Sequence, residues 1–270
     1  MTQHSRTAGL LRRVVTSAAA LAVTVVAGGC GATGSAPVAG PATSAKLTPK
    51  QELLAAVPDG TEGTFRYTGK DSSATFSGLV DPASKGMEFT TSAKDADLGF
   101  TTRMSFRIVS EQIWMKVKFT GTEGLTGLPK LPDRWLRLDR AKLTDSESTP
   151  VWEGVDVGNA GVLIEAATAV EEKAAGRYAG TIDLTSGEAA KALEAEEMTA
   201  LGAAAKTVPF TAEVGADGNL TRLALQVPAA GKRKAYTYLV EYRDYGSAPA
   251  VTAPAGAQDA PKVAYELLAG

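Results

Sequence analysis

The chain has 270 residues, 44% of them hydrophobic and 21% charged, with a formal charge of −2; this is the composition of a folded domain and excludes a disordered chain or a polytopic membrane protein. The only histidine is His4 and the only cysteine is Cys30. From residue 31 onward there is therefore no imidazole and no thiol, which excludes histidine triads, Cys/His zinc sites, cysteine nucleophiles and disulfide frameworks from that part.

The chain begins with the pattern of an export signal. Arg6, Arg12 and Arg13 precede a small apolar run over residues 14–26, and Ala27-Gly28-Gly29 leads into Cys30. These are the charged, apolar and cleavage regions of a signal peptide in order. Residues 1–29 are expected to be removed, and cleavage before Cys30 fits a bacterial lipobox in which the thiol takes a diacylglycerol. The alternative is an ordinary secretory signal with an incidental cysteine. The apolar run is shorter than the ~20 residues of a spanning helix. The expected location is extracytoplasmic, on the outer face of the cytoplasmic membrane, lipid-anchored through Cys30. Removal of residues 1–29 takes away three arginines and no acid, so the remainder is acidic and carries no charge-driven affinity for nucleic acid.

Residues 30–47 are rich in Gly, Ala, Ser, Thr and Pro and read as the lipidated Cys30 and a flexible tether. A domain is predicted over 48–254, with 255–270 as a C-terminal tail. Thr48-Pro49-Lys50-Gln51 is a capping box with proline at the first helical position, and Leu53, Leu54 and Val57 give that helix a short apolar face. Period-two segments follow: Gly63–Gly69, Ser73–Asp81, Gly86–Ser92, Phe100–Ile108, Ile113–Phe119 and Arg134–Leu138. In the fourth and fifth, one face carries Met104, Phe106, Ile108, Ile113, Met115, Val117 and Phe119; the other carries Arg103, Arg107, Trp114, Lys116 and Lys118. Helices are predicted over Val162–Ala175 and Glu188–Ala204 around a strand Tyr178–Leu184. Strands Val208–Val214, Leu220–Val227 and Ala235–Tyr245 close the domain, and the tail from Gln258 reads equally as a strand or a helix. The order argues for an α+β fold, a strongly curved antiparallel sheet with helices on one face.

No phosphate loop, dinucleotide fingerprint or G-x-S-x-G motif is present. No cofactor, metal or enzymatic activity is therefore expected. Glu171-Glu172 and Glu194, Glu196 and Glu197 read as solvated helix faces, not as a glycosidase pair. Met87, Phe89, Met104, Phe106, Ile108, Met115, Val117 and Phe119 form an adaptable apolar face, either core packing or the wall of a ligand cavity. Tyr236, Tyr238, Tyr242 and Tyr245 are either a pocket rim or a half-exposed sheet face.

Tyr178-Ala179-Gly180-Thr181-Ile182-Asp183-Leu184, an Ala-rich stretch, Pro209-Phe210-Thr211-Ala212-Glu213-Val214 and the closing Tyr242-Arg243-Asp244-Tyr245 resemble the actinobacterial lipoproteins of the LppX/LprG type. Gly78-Leu79-Val80-Asp81 and Ile113-Trp114-Met115-Lys116 resemble them in pattern. The resemblance implies a LolA-like half-open barrel with helices packed on its concave face around a hydrophobic cavity. It implies binding or transport of an acyl-chain lipid or another hydrophobic small molecule in the cell envelope. The alternative expected on the same fold is an envelope sensor or protein-interaction module, with the basic sheet face meeting an envelope protein partner.

Overall fold

Thr48 opens the first helix as its sequence predicts. In the computed structural model, which describes residues 46–143 and 151–269, helix α1 (Pro49–Ala55) has a complete capping box. The Thr48 hydroxyl accepts from the Gln51 amide, and Gln51 Oε1 accepts from the Thr48 amide at 2.9 Å. Six strands then run as consecutive hairpins: β1 (Phe65–Lys70), β2 (Ala74–Asp81), β3 (Gly86–Lys94), β4 (Thr101–Val109), β5 (Gln112–Thr120) and β6 (Leu136–Leu138). After helix α2 (Ala160–Glu165) come β7 (Ala167–Ala174), β8 (Arg177–Ile182), helix α3 (Ala195–Leu201), β9 (Val208–Val214), β10 (Leu220–Val227) and β11 (Tyr236–Arg243). The chain continues into β12 (Gln258–Asp259) and helix α4 (Lys262–Ala269).

All twelve strands join one sheet in the order β12-β6-β5-β4-β3-β2-β1-β11-β10-β9-β8-β7. Two antiparallel meanders therefore meet where β1 pairs with β11, Tyr67 opposite Tyr242. One face is the core: Phe65, Phe106, Ile108, Met115, Leu223, Leu225 and Val240 are fully buried there, each on the alternate residues that a pleated strand turns to one side. Helices α1 and α2 pack together, α1 also meets β7, and the 3-10 segment Gly202–Thr207 meets β8. Lys50 Nζ donates to the Glu165 and Ala167 carbonyls, tying α1 to the end of α2.

The expected strongly curved half-open barrel is not what the strands form. The structure is a large open mixed sheet with helices on one face: β7 and β12 are its two edges, and β12 pairs with β6 in parallel. Closure would require those edges to meet. Instead, β7 exposes Glu171, Glu172 and Lys173, charges that discourage further strand pairing. On the other edge β12 has two residues and leads into α4, whose Ala264 and Leu268 are buried in the core.

Two predicted helices are also corrected. Val162–Ala175 is helical only to Glu165, because residues 167–174 pair with β8, where Val170 lies opposite Gly180. Sheet pairing overrides the helix propensity of Ala and Glu. Glu188–Ala204 is divided into the 3-10 segment Gly187–Lys191, the helix α3 and a second 3-10 segment that starts at Gly202, whose φ of +52° ends the helix.

Residues 246–257 cross the solvent face of the sheet as a strap. Gly246 donates to the Thr64 carbonyl beside β1, Val251 to Asp81 at the end of β2, and the Thr252 carbonyl accepts from Arg107 of β4. Gln258 then donates to the Trp135 carbonyl next to β6. The path from β11 to β6 spans six strand spacings of ~4.8 Å, roughly 29 Å. A dozen extended residues reach roughly 40 Å, so the stretch spans this distance with slack for the turns at 245–247 and 255–256. Leu79 and Trp114 project to this face and are nevertheless buried, which corrects the expectation of a wholly wet face.

Candidate functional site

Cys30 and the signal and tether residues up to 45 lie outside the described residues. Of the predicted cavity wall, Met87, Met104, Phe106, Ile108, Met115 and Val117 are buried in the core, and Phe89 and Phe119 pack half-buried against it. Register aligns them: Phe89 lies opposite Phe106, which lies opposite Met115. Among the described residues, no curved cavity opens between sheet and helices. The tyrosines divide as well. Tyr242 and Tyr238 are buried and donate to the Val157 and Gly158 carbonyls at 2.6 and 2.8 Å, and Tyr245 donates to the Leu220 carbonyl at 2.7 Å. Burial pushes the Tyr242 hydroxyl well above the usual phenol range, so it stays a neutral donor.

A cleft of about 750 Å³ opens at one end of the sheet, within the size range of small-molecule sites. Antiparallel pairing of β2 through β5 brings the β2–β3 and β4–β5 turns to that end. Ser84 and Lys85 come from the first turn, Ser110 and Glu111 from the second, with Ile113, Arg140 and Trp152 completing the wall. The turns are stitched together: the Ser110 amide donates to the Lys85 carbonyl at 3.2 Å and its hydroxyl to the Ser84 carbonyl at 3.4 Å. Lys85 and Ser110 adopt φ of +47° and +54°, two of the four non-glycine residues with positive φ among those described.

Asp81 organises this corner from beneath. Its buried carboxylate accepts from the Ser84 amide at 3.4 Å and from the Val251 amide of the strap at 3.0 Å. Trp152 belongs to a loop fixed further along: Asp156 accepts from the Gly161 and Val162 amides at the start of α2, and Tyr242 and Tyr238 hold Val157 and Gly158. Gly158, at φ +84°, admits no side chain, because a Cβ would lie 2.9 Å from Val240. Burial raises the Asp156 carboxyl above its ordinary value despite those amides. It also raises Glu153, whose Oε2 is buried without a hydrogen-bond partner.

The cations around this end differ in their partners. Arg107 pairs with Glu88 and stacks over Trp135 at 5.0 Å, Arg137 pairs with Asp259 at 2.7 Å, and Lys142 lies 3.7 Å from Asp139. Lys85 and Arg140 are exposed and make no ion pair among the described residues. Two smaller concavities exist. One of about 360 Å³ is a Ser- and Thr-rich patch on the solvent face of β1–β4, and one of about 300 Å³ is lined by the Arg137–Asp259 pair and Tyr265. At the opposite end of the sheet, Glu197 of α3 is buried and pairs with Arg233 at 2.7 Å, and Arg233 also donates to Ser72 at 2.7 Å.

The sequence pattern missed Lys85, Ser110, Arg140 and Trp152 as a group. The available signal was the pairing of three consecutive hairpins, which necessarily brings alternate turns to one end.

Comparison with known proteins finds no family model that matches the chain and no matching curated protein. Together with the open sheet, this overturns the resemblance to the LppX/LprG and LolA-like carriers. The expected carriage of an acyl-chain lipid, the sensor or interaction role on that fold and the lipid and envelope-protein partners fall with it, because the half-open barrel that both assumed is not formed and no cavity opens between sheet and helices among the described residues.

Proposed function

We propose that the protein works outside the cytoplasmic membrane as a non-enzymatic domain that binds a small solute in the hairpin-end cleft. The export pattern of residues 1–30 supports the location. A chain without imidazole or thiol beyond residue 30 supports binding without chemistry. The observation that carries the reading is the rim itself: Lys85 and Ser110 stand side by side at positive φ. Tight hairpin turns ask for positive φ but favour Gly, Asn or Asp there; a lysine or serine costs about 1 kcal/mol or more at each position. Such strain concentrates where side chains serve a ligand. Trp152 supplies an apolar wall and the two turns supply polar groups, the mixture typical of small-molecule sites.

The test is equilibrium dialysis of the protein against an aqueous cell extract, followed by mass analysis of what it retains, for wild type and Trp152→Ala. A small solute retained unaltered by wild type and lost by the variant supports the reading. Retention of nothing, or equal retention by both proteins, overturns it.

A further inference from the structure

We infer that the cleft selects an oxyanion, a carboxylate or phosphate ester, carried on a ring or other flat apolar body; this rests on the cleft being a binding site. Lys85 and Arg140 both line it, and neither is neutralised by an ion pair among the described residues. The contrast with their neighbours is local. Arg137 and Lys142 flank Arg140 in sequence and each has an acidic partner, Asp259 and Asp139. Against the two free cations stands one lining carboxylate, Glu111. An arginine fork binds a carboxylate or phosphate through two parallel hydrogen bonds, and a lysine adds a mobile point charge. Ser84 and Ser110 place hydroxyl groups on the same wall, and the half-buried Trp152 offers the surface against which a ring packs.

The experiment uses benzoate and phenyl phosphate as anionic probes and benzyl alcohol as their neutral counterpart, titrated into the protein while the Trp152 indole N–H and the Ser84 and Ser110 amides are followed by NMR. Both anions are expected to shift these resonances and benzyl alcohol to bind at least tenfold more weakly. Arg140→Ala, at an exposed position, is expected to weaken anion binding about tenfold, as fits the loss of one charge-assisted contact. Glu111→Gln is expected to tighten it, and added salt to weaken it. Benzyl alcohol binding as well as the anions, or Arg140→Ala and Glu111→Gln without effect, overturns the anion inference and leaves the cleft reading standing. Failure of all three probes to move the cleft resonances overturns both.

Discussion

Replacing Arg233 with alanine is expected to destabilise the protein far more than neutralising its partner. The Glu197 side chain is 1% exposed, while that of Arg233 is 39% exposed. Glu197 Oε1 already has no partner and Oε2 depends on Arg233. Arg233→Ala therefore strands a charge in the protein interior. Breaking a fully buried pair in this way costs about 3–5 kcal/mol, and the solvent reach of Arg233 places the expected loss near the lower end, about 3 kcal/mol. Glu197→Gln keeps the shape and leaves Arg233 free to reach water, at a cost of about 1 kcal/mol. The decisive variant is the double one: with Gln at 197 no charge remains to strand, so Arg233→Ala in that background should recover about 2 kcal/mol relative to Arg233→Ala alone. Urea denaturation followed by circular dichroism, with the four proteins treated as a double-mutant cycle, measures this coupling. A single Arg233→Ala within about 0.5 kcal/mol of wild type, or a double variant no more stable than Arg233→Ala, would refute the reasoning.

Three further outcomes follow from the same geometry. Lys85→Gly removes a side chain from a left-handed position and is expected to raise stability by about 0.5–1 kcal/mol while weakening phenyl phosphate binding; lower stability with unchanged binding contradicts this. Asp156 has its carboxyl raised by burial, so the folded state holds its proton more tightly than the unfolded chain and the protein loses stability as pH rises from below 4 through the raised value. Thermal melts of Asp156→Asn should therefore gain relative to wild type between pH 4 and 7, and a difference that is flat or reversed rules out the assignment. Asp81→Ala removes the acceptor of the Val251 amide and is expected to cost about 2 kcal/mol, with hydrogen exchange quickening along 246–257; unchanged protection there means the strap is held by other contacts.

The sheet was legible where alternation was strong and the turns short. The alternation over Phe100–Ile108 and Ile113–Phe119 predicts β4, the turn and β5, and the structure pairs Met104 with Val117 and Phe106 with Met115 as that alternation requires. The capping box at Thr48 was equally readable, because its signal lies in adjacent residues. Residues 167–174 were misread because alanine and glutamate favour helix locally, whereas the partner that makes them a strand, β8, supplies its hydrogen bonds through tertiary pairing. The barrel was misread for a related reason: the number and alternation of strands do not say whether the outer two meet. Lys85, Ser110 and Trp152 were not recognised as a site because 25 residues separate the first two and about 40 the last two. Only the stacking of hairpins makes them neighbours.

Diffraction from crystals of the protein soaked with phenyl phosphate tests the central claim most directly. The expected result is density in the hairpin-end cleft, with the ring against Trp152 and the phosphate between Lys85 and Arg140. An empty cleft with the probe bound elsewhere would contradict it.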